Sequence, residues 1–159
     1  MRAYCTASKL ADSISADSGS RAIMSYECGR ALGAVCSFVE AHEYLVKALT
    51  IGEAEQIGPN LRFPLFELGR LNAAQANYEQ AIPYYERALA LTESSRSATK
   101  DPIGLSNLLD EYAEVLTKAG RPSDAASFNS RAAEIRSGNS NLSTRSDVTP
   151  YGKHCASRR

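Results

Sequence analysis

The chain has 159 residues, with 18 Lys plus Arg balanced by 18 Asp plus Glu and a formal net charge of zero. That balance supplies no global electrostatic pull toward nucleic acid or a membrane surface. No apolar run approaches the roughly 18 residues that a membrane-spanning helix requires, and the length suits one ordinary domain or a short array of repeats.

The first segment, residues 1–13, has no long apolar stretch after Arg2, so no signal peptide is expected. Its Tyr4, Ser8 and Ala11 lie 40 residues before Tyr44, Ala48 and Ile51. The segment therefore reads as the second helix of a truncated or capping repeat. Asp12 to Ser20 is the polar linker after it. A first helix pair is expected over about 22–55, turning near Cys36-Ser37, and a second over about 62–95, turning near Ala76-Asn77. A third spans about 106–139 and turns at Gly120-Arg121, where Gly suits a left-handed cap and Pro122 suits a helix's first turn. Linkers fall around Gly58-Pro59-Asn60 and from Ser94 to Pro102. From Asn139 onward the composition is Ser, Thr, Asn and Arg with few apolar residues, so residues 140–159 read as a disordered tail.

The pairs repeat one chemical pattern. FVEAHEYLVKALTI (38–51), YEQAIPYYERALAL (78–91) and PSDAASFNSRAAEI (122–135) align without gaps, offset by 40 and then 44 residues. Ala41, Ala81 and Ala125 form one small-residue column, and Ala48, Ala88 and Ala132 form another. Tyr44, Tyr84 and Phe128 align as aromatics; Lys47, Arg87 and Arg131 align as bases; Ile51, Leu91 and Ile135 close the apolar series. Spacings of three, four and seven residues place these on one helical face. A side chain no larger than methyl lets two helices approach closely, and the aromatic fills the space beside the contact. In the preceding helices Cys28-Gly29, Leu68-Gly69 and Tyr112-Ala113 align, with Ser25, Leu65 and Leu109 three residues upstream.

Leu68-Gly69, Ala81, Tyr85 and Ala88 resemble the tetratricopeptide repeat (TPR), which couples a Leu-Gly pair in its first helix to an Ala and an aromatic in its second. The period exceeds the usual 34 residues, as in the longer repeats of kinesin light chains and many bacterial regulators. The resemblance implies an all-α, right-handed α-solenoid of antiparallel helix pairs, with about three units plus the N-terminal half repeat. It also implies a protein-binding scaffold or adaptor that uses no cofactor and is not an enzyme. The pattern's Trp is replaced by Ser25, Leu65 or Leu109, and its closing Pro is absent from all three copies.

No GxSxG, HExxH or glycine-rich phosphate loop occurs. Asp110 and Glu114 share a helical face and read as a solvated surface rather than a catalytic pair. The four cysteines make no CxxC, and His42 and His154 complete no metal-ligand pattern with them. Cys5, Cys28 and Cys36 fall at apolar helical positions and read as buried thiols in a reducing compartment, which with the missing signal points to the cytoplasm.

The first helix of each TPR pair lines a concave surface that usually binds ligand. By the resemblance, Ile23, Phe63 and Asn107 face it in one column, Tyr26, Phe66 and Asp110 in the next, and Arg30, Arg70 and Glu114 in a third. Aromatic and arginine side chains carry much of the energy at interfaces. The matching partner is a peptide or protein segment of mixed charge, acidic toward Arg30 and Arg70 and basic toward Asp110 and Glu114. The acidic third helix disfavours the acidic carboxylate tails that chaperone-binding TPR domains clamp. The competing reading is a self-associating or structural solenoid segment of a larger TPR-containing regulatory protein, stacked through its ends at Tyr4 and Ile135.

Overall fold

The computed structural model describes residues 2–95, 97–144 and 151. Among these, every regular element is helical: α1 (Arg2–Ser13), α2 (Ser18–Ala34), α3 (Phe38–Ala54), a 3-10 turn (Gly58–Leu61), α4 (Arg62–Ala74), α5 (Tyr78–Ser94), the one-turn α6 (Ser97–Lys100), α7 (Pro102–Lys118) and α8 (Pro122–Gly138). Consecutive elements pack in order, with α2 on α3, α4 on α5 and α7 on α8 as antiparallel pairs; α3 meets α4 and α5 meets α7 between pairs. This is a helical repeat solenoid.

Three residues link the helices of each pair, and the middle one is always left-handed: Cys36 at φ 70°, Ala76 at φ 60° and Gly120 at φ 81°. The following amide reaches back to the third-last helical carbonyl, Ser37 to Leu32 at 3.0 Å, Asn77 to Asn72 at 3.0 Å and Arg121 to Leu116 at 2.8 Å. These are Schellman closures, which satisfy carbonyls that a helix end would otherwise leave open. Only Gly120 is free of the Cβ penalty of that conformation, about 1 kcal/mol or more for a side-chain-bearing residue.

Two first helices begin earlier than their sequence pattern suggests. Asp17 accepts from the Ser20 amide at 2.9 Å and starts α2 at Ser18, inside the expected linker. Asp101 accepts from the Gly104 amide at 2.8 Å and starts α7 at Pro102, four residues before the expected repeat. Both are side-chain N-caps.

The small-residue columns set the distance within each pair. Ala41, Ala81 and Ala125 are essentially inaccessible. A Cβ on Gly29 would lie 2.7 Å from Leu45 Cγ, and one on Gly69 would lie 2.8 Å from Tyr85 Cε2. The side chain that fills each notch is thus Leu45 or Tyr85, one residue after the aromatic column. Tyr84 and Phe128 pack against the core beside it. Phe66, Tyr85, Tyr112 and Phe128 form a chain of ring contacts through the second and third pairs, with Tyr85 and Tyr112 stacked at 5.8 Å between centroids.

The aligned bases tie each second helix to the one before it. Lys47 pairs with Asp12 on α1, Arg87 with Glu53 on α3 at 2.6 Å, and Arg131 with Glu93 on α5. Such exposed pairs contribute at most about 1 kcal/mol each, yet their recurrence repeats one stacking register.

The cysteines depart from the expectation of free thiols. Cys5 on α1 and Cys28 on α2 form a disulfide, with a Cα–Cα distance of 4.8 Å, and Cys36 is disulfide-bonded as well. Their apolar helical positions gave them the appearance of small hydrophobes, because pairing depends on which helices meet. His154 and Cys155 lie outside the described residues, as does most of the segment read as a disordered tail.

Gly69→Ala should lower stability by up to about 2 kcal/mol in urea unfolding. The helix-propensity gain of about 1 kcal/mol is outweighed by displacing the locked Tyr85 ring, an overpacking cost of about 1–3 kcal/mol. Gly138→Ala, where an added Cβ meets nothing within 4 Å, should be neutral or slightly stabilising. A second test concerns Asp12. A hydrogen bond from Lys47 lowers its pKa from 3.8, opposed by burial and aided by Arg21. Its contribution is present above the unfolded value and lost as pH falls through the depressed folded value. The melting-temperature difference between the wild type and Asp12→Asn should therefore be seen at pH 6 and shrink as pH falls below 3.8.

Candidate functional site

The first helices α2, α4 and α7 share one face, and a cleft of about 500 Å³ opens there. Tyr26, Glu27 and Arg30 come from α2; Arg62, Phe63, Phe66, Glu67 and Arg70 from α4; Gly104, Leu105 and Leu108 from α7, with Asp101 at its N-cap. Tyr26 and Phe63 meet across the α2–α4 boundary with ring centroids 6.4 Å apart. The Arg30 guanidinium lies 5.5 Å from the Tyr26 centroid, and that of Arg70 lies 5.6 Å from the Phe66 centroid. Burial, reinforced by the Glu67 charge, pushes the Tyr26 phenol well above its usual range.

Buried charge organises the floor. Glu67 is 2% exposed. Its Oε1 accepts from Arg70 Nη1 at 2.9 Å and lies 3.9 Å from Arg30 Nε. Arg70 also makes a two-pronged contact to Glu111 of α7, Nε to Oε2 at 2.7 Å and Nη2 to Oε1 at 2.9 Å. Burial alone would lower the Arg70 pKa; Glu111 and then Glu67 overcome it and raise the value, so the guanidinium is held protonated. Among the described residues none donates a hydrogen bond to Glu67 Oε2.

A second, predominantly apolar hollow of about 390 Å³ adjoins the first and shares Tyr26, Glu27 and Phe63 with it. Ile23, Ala22, Ile57 and Pro64 are among the other residues of its wall. Ile23 and Phe63 stand at the rim, 57% and 43% exposed.

Of the nine residues expected in the groove, the structure brings Tyr26, Arg30, Phe63, Phe66 and Arg70 together in the cleft and places Ile23 in the adjoining hollow. Asn107, Asp110 and Glu114 line neither. Asp110 turns toward α8 and pairs with Arg136, while Glu114 is exposed and pairs with Lys118 at 2.6 Å. The carboxylates that hold Arg70 are Glu67 and Glu111. Glu67 stands three residues before Arg70, a spacing at which a pair within one helix is expected; Glu111 lies 41 residues away, where no local spacing reveals it. Among the described residues no cluster of three His, Cys, Asp or Glu side chains is placed to hold a metal ion.

Glu67→Gln should cost about 3 kcal/mol in urea unfolding, the scale for breaking a buried ion pair. Glu114→Gln, in an exposed pair, should cost less than about 1 kcal/mol.

The tetratricopeptide repeat family matches residues 63–95, the α4–α5 pair. No curated protein matches the sequence. In fold, the chain is similar to the crystal structure of BtubC (BKLC) from P. vanneervenii, with a TM-score of 0.80 and 20% identity over 91% of this chain. The chain spans 58% of the length of that protein. Among the described residues no helix is long and apolar enough to cross a membrane. The repeated helix pairs, the matched second pair and the shared architecture together identify this chain as a TPR-like helical repeat protein.

Proposed function

We propose that the face built by α2, α4 and α7 binds a peptide or protein segment, as TPR repeats generally mediate protein–protein interaction or scaffolding. The observation that carries the reading is the pair of adjoining hollows that share Tyr26, Glu27 and Phe63. One offers an apolar wall with Ile23 and Phe63 exposed at its rim; the other offers aromatic rings, paired charges and the buried Glu67 carboxylate, whose Oε2 accepts no hydrogen bond among the described residues. A small number of polar groups set in an apolar concavity is the common form of a binding site.

The charge logic differs from the sequence expectation. Arg70 already meets two carboxylates, and Arg30 lies beside Glu27 and Glu67. An acidic ligand would have to compete with these built-in partners, and the expected basic half of the ligand loses Asp110 and Glu114. The segment proposed is therefore one with an aliphatic or aromatic anchor for the Ile23–Phe63 rim and a hydrogen-bond donor for Glu67. No catalysis is proposed. The cytoplasmic assignment loses its support from free thiols, because the described cysteines are all disulfide-bonded; such bonds persist best in oxidising surroundings.

Self-association through the ends is the second reading, favoured by Tyr4, Leu10 and Ile14, all exposed on or just after α1. Light scattering over a concentration series separates it, since a strict monomer at high concentration excludes it.

The cleft is tested by selecting peptides from a random library on the whole chain. Recovered peptides should carry an apolar anchor and lose at least about tenfold in affinity, about 1.4 kcal/mol, for an Ile23→Ala, Phe63→Ala variant of unchanged helicity. Equal affinity for both chains would remove the cleft as the site.

A further inference from the structure

The C-terminal segment touches the cleft face at two described points. Thr144 Oγ1 donates to Asp101 Oδ2 at 2.8 Å, and Asp101 is a cleft residue at the start of α7. Tyr151 lies at the other end, in a notch over Gly33 near the end of α2. A Cβ on Gly33 would sit 2.2 Å from Tyr151 Cε1, 2.7 Å from its Cδ1 and 3.1 Å from Leu71 Cδ1. Gly33 is three residues beyond Arg30 and seven beyond Tyr26, so it continues the α2 face that lines the cleft. The Tyr151 ring packs against the core cluster that contains Leu45, Leu68 and Leu71.

Gly33 has an ordinary helical backbone. Glycine in such a position costs about 1 kcal/mol relative to alanine, and no left-handed turn accounts for it here. What accounts for it is the ring, which approaches the helix closer than a methyl group would allow. Tyr151 is seven positions after Thr144, a separation of at most about 25 Å along the chain.

We propose that the Gly33–Leu71 notch is a binding site for an aromatic ring, filled in cis by Tyr151. The chain's own C-terminal segment then competes with an outside extended segment that presents a Tyr or Phe to the same notch. The competition rests on the peptide-binding reading of the cleft; the notch itself does not. A segment held in cis acts at a high effective concentration, so an incoming peptide meets a site that is already occupied and binds with reduced apparent affinity.

The experiment uses full-length chains. In methyl spectra of the free protein, the Leu71 Cδ1 resonance should carry a ring-current shift that is lost in both Tyr151→Ala and Gly33→Ala. Alanine favours helix, so Gly33→Ala should match or exceed the wild type in helicity by circular dichroism, which separates loss of the ring from loss of fold. A fluorescein-labelled peptide with the sequence of residues 144–153 should bind the Tyr151→Ala chain at least about tenfold more tightly than the wild type. The same peptide carrying Ala in place of Tyr should bind neither, and adding Gly33→Ala to the Tyr151→Ala chain should abolish binding. An unchanged Leu71 methyl in Tyr151→Ala, or equal peptide affinity for the wild-type and Tyr151→Ala chains, overturns the proposal. Library peptides that depend on Ile23 and Phe63 yet are indifferent to Gly33→Ala would leave the cleft reading standing while removing the notch from it.

Discussion

The close approach of two helices at a column of small residues is the constraint on which this structure rests. Gly69 and Ala81 let α4 and α5 come near enough for Tyr85 to lie against bare backbone. Gly29 and Ala41 do the same for α2 and α3, with Leu45 in the role of the ring. Once each pair is closed, its outer faces are fixed relative to one another, and the next pair can stack only in one register. The Schellman turns at Cys36, Ala76 and Gly120 serve that geometry by reversing the chain in three residues without leaving helix-end carbonyls open.

The cleft follows from the stacking. A short first helix such as α4 carries Phe63, Phe66 and Arg70 along one side, and its neighbours bring Tyr26 and Glu111 to them. The low polarity of the surroundings makes the Arg70 charge costly unless it is paired, and Glu67 and Glu111 pair it from two helices. This network holds α4 against α7 without using the rim residues Ile23 and Phe63, which stay largely exposed. Structural and recognition roles are thus divided between floor and rim, so substitutions at the rim can test binding without unfolding the molecule.

The same principle of close approach recurs at Gly33, but there the side chain that exploits it belongs to the C-terminal segment rather than to a partner helix. Ring against helix backbone is a contact that only a missing Cβ permits. The use of one device for core packing and for a contact on the cleft face places Tyr151 in continuity with the core that closes the first two pairs.

Much of the architecture was legible in the residues. The 40-residue echo of Ala41 and Ala81, the Leu68-Gly69 pair and the turn at Gly120 all report local requirements: helical period, methyl-sized contacts and a left-handed cap. Each is satisfied within a few residues of sequence, so each leaves a local signature. The aromatic and basic residues Tyr26, Arg30, Phe63, Phe66 and Arg70 were expected on the first-helix face from the resemblance to the repeat family, and they line the cleft. What the tertiary structure decided were the pairings between helices. Cys5 meets Cys28, Glu111 reaches Arg70, Asp110 turns away to Arg136, and Tyr151 comes to rest on Gly33. Helical periodicity states which residues share a face, but a rotation of α7 about its own axis chooses whether Glu111 or Asp110 faces Arg70. That rotation is set by how the Leu105, Leu108, Leu109 and Tyr112 side chains interlock with α5 and α8, a packing problem that no single segment of sequence can solve alone.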